Sequence, residues 1–160
     1  MVEFALVAPV MLFLLFGVIE SSLLLFAVGS AHFAAEEGTR VAAQLGNATN
    51  ADSAAVQAIR SGPFGQTTVA SITRIDIYRL QQQSNGTLTK DNAHYNSYNL
   101  DGTPISLTWP PATRNVTSGQ CDFLGLTIFY RYSWKSGVLL FGNTMSLTQA
   151  FDVRLEPQTY

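Results

Sequence analysis

From Phe4 to Val28 the chain reads FALVAPVMLFLLFGVIESSLLLFAV, an apolar run broken only by Glu20, Ser21 and Ser22. A chain of 160 residues has too little surrounding domain to bury such a run as a core hairpin. A membrane-spanning helix needs about 20 apolar residues. The uncharged stretch Phe4–Ile19 falls slightly short of that, so the span is expected to run on through Glu20. The energies permit it. Sixteen Leu, Ile, Phe and Val residues lie between Phe4 and Val28. Each contributes roughly −0.3 to −0.6 kcal/mol at a helix centre, against about 2.5–3.5 kcal/mol for one acidic residue. An acid at that depth is expected to face a partner or the interface, not lipid.

A secretory signal peptide is the competing reading. It requires a basic start, an apolar core of about 7–15 residues and a small-residue cleavage site. Here no Lys or Arg precedes Arg40, and the helical pattern continues well past the apolar run. Ser30–Leu45, SAHFAAEEGTRVAAQL, is rich in helix formers. Ala31, Ala35, Gly38 and Ala42 fall at i, i+4, i+7 and i+11, a stripe that lets another backbone approach closely. Glu36 and Arg40 are spaced as an i, i+4 pair. Gly46-Asn47 is a stop signal. A continuous Met1–Leu45 helix would be about 68 Å long at 1.5 Å per residue. Pro9 offers no N–H to the Ala5 carbonyl, so a kink or unwound turn is expected at residues 5–9.

The remainder is polar. Charged residues are 12% of the chain, about half the usual share. Nine Lys and Arg stand against eleven Asp and Glu, which argues against a nucleic-acid binder. The single cysteine, Cys121, excludes an intramolecular disulfide framework. His32 and His94 lack any metal-ligand spacing. No Gly-x-Ser-x-Gly elbow or phosphate-cradling loop occurs. Neither an enzyme, nor a metal, nor a cofactor is expected.

The pattern divides the chain at residue 46: a helix over 1–46 and a head domain over 47–160. Within the head, Asp52 or Ser53 is placed to cap a short helix, Ala54–Arg60, stopped by Ser61-Gly62-Pro63. Ser71–Leu80 alternates as a strand with both faces partly used. Residues 81–120, rich in Asn, Gln, Ser, Thr, Gly and Pro, read as a long loop with a short strand at Ile105–Trp109. An adhesive surface there is weighed against an ordinary solvated loop. Leu124–Trp134 is a strong strand, with Leu124, Leu126, Ile128, Tyr130 and Tyr132 on one face. Gly142-Asn143 is a turn before a strand at Met145–Leu155. The fold class expected is α+β: a long N-terminal helix followed by three or four antiparallel strands.

Met1-Val2-Glu3-Phe4-Ala5-Leu6-Val7-Ala8-Pro9 resembles the apolar start, with its acid and proline, of the TadE-like pilin and pseudopilin family of tight-adherence, type IV-like pili. Gly17-Val18-Ile19-Glu20 is similar to that family's Gly-apolar-apolar-Glu step, and residues 34–43, AAEEGTRVAA, to its Ala-rich stretch. Residues 55–60, 128–132 and 153–157 resemble its next helix and last two strands. Residues 81–120 carry little of the likeness. The resemblance implies a pilin-like lollipop, and a basic leader ahead of the present start, removed by a prepilin peptidase. The acid also stands two places nearer the start than in the family.

The resemblance implies a structural subunit, held in the inner membrane as precursor and then assembled into an extracellular pilus. Its partners would be copies of itself or related pilins in a helical homopolymer, together with the assembly machinery. A minor pseudopilin that primes assembly, and a membrane-anchored binding domain unrelated to pili, are the alternatives. For the filament core the residues singled out are Glu3, Phe4, Pro9, Gly17, Glu20, Ala31, Ala35, Gly38 and Ala42. Glu3 would pair with a neighbour's N-terminal ammonium, offsetting the cost of a lone carboxylate in apolar surroundings; an interfacial Glu3 is the other reading. Glu20 would face a partner within the core or simply mark the top of the span. Asn47, Asn85 and Asn115 each fit the Asn-x-Ser/Thr glycosylation pattern.

Overall fold

The computed structural model describes residues 2–135 and 143–158. Helix α1 spans Val2–Leu45 and α2 spans Ala51–Ser61. Among the described residues five strands follow: β1 Ala70–Gln82, β2 Leu88–Tyr98, β3 Pro104–Leu107, β4 Phe123–Ser133 and β5 Thr144–Arg154. They form one antiparallel sheet in the order β3-β2-β1-β4-β5. Both helices lie against one face of it. The fold is therefore α+β, a long apolar helix followed by an antiparallel sheet, with five strands where three or four were expected.

The helix α1 runs unbroken through Pro9, so the unwound turn expected at residues 5–9 is absent. Proline removes one hydrogen bond, and the uninterrupted apolar helix around it supplies the rest. The helix stops where the sequence says it should. Gly46 has φ +54° and donates its N–H to the Ala42 carbonyl at 3.0 Å. A side chain there would be strained in the left-handed region and would also meet Val116.

In α2 the capping expectation is corrected. Asn50 stands at the cap position and makes no side-chain capping bond. Asp52 lies inside the first turn, and its carboxylate is drawn into the interior instead.

The core forms between the small residues of α1 and the branched side chains of the sheet. Ala31, Ala35, Ala42, Ile59, Ile75, Ile77, Leu126 and Ile128 are all buried. The strand β4 follows the expected alternation, burying Leu124, Leu126, Ile128, Tyr130 and Tyr132. The strand β1 does not alternate simply. Its register against β4 shifts by one residue between Ile72 and Arg74. That bulge at Thr73 lets Ile72 face the same side as Ile75 and Ile77.

The expected loop over 81–120 is also corrected, because its first half contains β2. The turn signals Asn85-Gly86 and Asp101-Gly102 close the hairpins on either side of that strand. The expected turn at Gly142-Asn143 falls partly outside the described residues, at Gly142.

Candidate functional site: the two halves of helix α1

The environment of α1 changes at Glu20: no residue from Val2 to Ile19 is buried, and from Glu20 onward one face of the helix is. From Val2 to Ile19 every residue is exposed except Ala8, which is half-buried. The helix Val2–Leu45 is long and apolar enough to cross a membrane, and none of its most apolar window is covered by the rest of the chain. At 1.5 Å per residue the segment Val2–Ile19 measures about 27 Å, close to a hydrocarbon core. Glu3, Phe4, Pro9 and Gly17 all lie on this free surface; Phe4 is 76% exposed. A Cβ added at Gly17 would touch nothing.

Glu20 itself is 2% exposed. The Tyr132 hydroxyl donates to its Oε1 at 2.6 Å, and the Lys135 backbone N–H lies 3.1–3.2 Å from both carboxylate oxygens. Burial, together with the hydrogen bond the hydroxyl donates to this carboxylate, pushes the Tyr132 phenol well above its ordinary value. Tyr132 is held in turn by an edge-on contact with Trp134, ring centroids 5.1 Å apart. The Lys135 ammonium donates to the Thr68 carbonyl at 2.8 Å. The partner expected for an acid at this depth is supplied by the chain's own head, under which the carboxylate sits. Ser21 and Ser22, exposed just above, donate their hydroxyls to Gly17 O and Val18 O at 2.8 Å, satisfying themselves within the helix.

Above Glu20 the helix becomes part of the head. Ala31, Ala35, Gly38 and Ala42 are buried within the chain. A Cβ on Gly38 would lie 2.7 Å from Ile59 Cδ1 and 3.2 Å from Leu126 Cδ1. The close approach that this stripe allows is made by the chain's own α2 and β4, where a neighbouring subunit was expected. The i, i+4 pair expected between Glu36 and Arg40 is replaced by an i, i+3 pair: Glu37 holds the guanidinium, at 2.6 Å. Beside the stripe, exposed Phe26 and Phe33 face Pro63 and Phe64 across an open groove of about 750 Å³.

A second buried assembly ties the head together. Asp52 accepts from Arg114 Nη2 at 2.5 Å, Asn96 Nδ2 at 2.7 Å and the Tyr98 hydroxyl at 2.8 Å. The Arg114 guanidinium stacks over Trp109, 4.5 Å from the ring centroid. Burial first, and the neighbouring Asp52 charge second, push the Tyr98 phenol upward. Neither this cluster nor the Tyr132–Glu20 contact was read from the sequence. In both cases the partners are far apart along the chain and carry no local signal.

The three sequons lie outside the helices and strands of the head, Asn47 and Asn85 on turns. Asn85 is exposed at the β1–β2 hairpin, and its Oδ1 accepts from Thr87 N and Oγ1. Asn115 accepts likewise from Thr117 N. Asn47 is half-buried just after α1.

The model of a family described as TadE-like protein matches residues 1–40. Comparison with curated proteins, and with solved structures, finds no match. The matched stretch covers the free half of α1 and most of the half clamped by the head.

Proposed function

We propose that this chain, TadE-like over its first 40 residues and so associated with tight-adherence pili, is a structural subunit of such a pilus. Its role is assembly, not catalysis. The segment Val2–Ile19 holds the precursor in the inner membrane with the head outside. The same surface then leaves lipid and packs against neighbouring subunits in the extracellular filament.

The observation that supports this reading is the division of α1 at Glu20. A helix that served only the head would not carry a bare apolar half. The exchange of lipid for like side chains gives little net hydrophobic drive. Close packing and polar pairing must therefore supply selectivity. Glu3 is the one charged residue of the free half, and pairing with a cationic group of a neighbour would offset its desolvation.

The test is mass spectrometry of filaments sheared from cells that produce the chain. Abundant peptides from residues 61–160 are expected. Filaments free of those peptides would overturn the proposal.

A further inference from the structure

We infer that the outward face of the sheet, opposite α1, carries a seat for a carboxylated sugar between Arg74 and Lys90. The seat arises from a local irregularity of β2. Between Tyr78 and Leu80 of β1, the partner on β2 jumps from Tyr95 to Lys90. The residues in between, 91–94, have no register partner on β1. Asp91 pins them by accepting from Arg79, Gln81 and the Ala93 N–H. The result is a hollow of about 430 Å³, lined by Arg74, Asp76, Lys90, Tyr95, Ser97 and Ser106.

Its charges do not balance. Asp76 is 3% exposed although it lies on the outward face. It accepts from Ser97 Oγ at 2.7 Å and lies 2.9 Å from Arg74 Nε. The Arg74 Nε–H is not aligned for a hydrogen bond. Lys90 Nζ stands 3.9 Å from Asp76 Oδ2, beyond hydrogen-bond reach.

Aromatic rings hold both cations in place. Arg74 stacks 4.1 Å over Phe129, and Lys90 lies 4.4 Å over Tyr78. One carboxylate thus faces two cations whose donors are largely unspent. Their side chains remain 44% and 39% exposed. Of the other nearby acids, Asp91 is held by Arg79 and His94, and Asp152 lies beside Gly125, on the far side of the Tyr78 ring's strand from β2 and with no ion pair to Arg74 or Lys90 among the described residues.

A single surplus positive charge, presented by a guanidinium and an ammonium, suits one carboxylate. A phosphate dianion would call for a second. Around that point Asn92 and the two serines supply hydroxyl and amide partners, while the Tyr95 ring and Ile105 supply an apolar wall. An anion, flanked by hydroxyls on a ring with one apolar face, is the chemistry of a uronic acid.

The experiment is titration of the full chain in detergent micelles with trigalacturonic acid, maltotriose and acetate, followed by NMR. The acidic trisaccharide is expected to bind, with the neutral one and acetate each about tenfold weaker or more. Lys90→Met, at a half-exposed side chain, is expected to weaken the acidic sugar about tenfold or more. Arg74→Met should act in the same direction. Equal binding of the neutral sugar, acetate binding as tightly as the trisaccharide, or full affinity in Lys90→Met would each overturn the inference. So would no binding of the acidic trisaccharide.

Discussion

Tyr132, near the end of β4, donates its hydroxyl to Glu20 in the middle of α1 at 2.6 Å, across 112 residues of sequence. This contact closes the head onto the helix at the level where the helix surface turns from bare to covered. Replacing Tyr132 with Phe removes the donor and keeps the ring. A hydrogen bond to a charged acceptor contributes about 1.5–3 kcal/mol, so thermal unfolding of the head should drop by that amount. Hydrogen exchange at residues 130–135 should rise with it. An unchanged melting temperature would show the contact to be incidental.

Gly38 answers to the head. Even the single methyl of Gly38→Ala would press on Ile59 and Leu126. Overpacking of this kind costs roughly 1–3 kcal/mol. Denaturant unfolding should register that loss in the isolated subunit, before any assembly. A variant as stable as the parent, but defective only in filaments, would return the glycine to a contact between subunits.

The Asp52–Arg114 pair is buried at both ends, with side chains 4% and 0% exposed. Asp52→Ala leaves a buried guanidinium without its carboxylate, a change that costs about 3–5 kcal/mol. The double variant Asp52→Ala with Arg114→Met should recover much of that stability, since no charge then remains to be desolvated. Equal losses in the single and double variants would contradict the pairing.

The Arg79 guanidinium beside Asp91 holds that carboxyl well below the usual carboxylate range. A depressed folded value means that the stabilisation is fully present above the unfolded pKa of ~3.9 and is lost as pH falls through the folded one. The bulge in β2 should therefore survive mild acid. A side-chain NMR titration of Asp91 should give its inflection well below ~3.9; an inflection at the ordinary value would contradict the geometry.

Much of the fold was legible, and the failures have physical causes. The β4 segment could be read because Leu124, Leu126, Ile128, Tyr130 and Tyr132 keep strict alternation against a one-sided core. The β2 segment could not. Its sequence LTKDNAHYNSY lacks an apolar period, because its inward Asn96 is buried by bonding to Asp52 and the Trp109 carbonyl. The bulge over 91–94 disrupts what period remains. The small-residue stripe was visible as a stripe, but such spacing says only that something packs closely, not what. Glu20 was singled out for its oddity among apolar residues. Its partners Tyr132 and Lys135 could come only from the tertiary fold.

The account rests most heavily on α1 changing surroundings at Glu20. The direct measurement is spin labelling of the full chain in liposomes, with the buried Cys121 replaced by Ser and a label placed at Val10 or Phe33. The account predicts that the Val10 label meets oxygen dissolved in lipid and is shielded from a water-soluble nickel complex, with the reverse at Phe33. A Val10 label open to the nickel complex would contradict it.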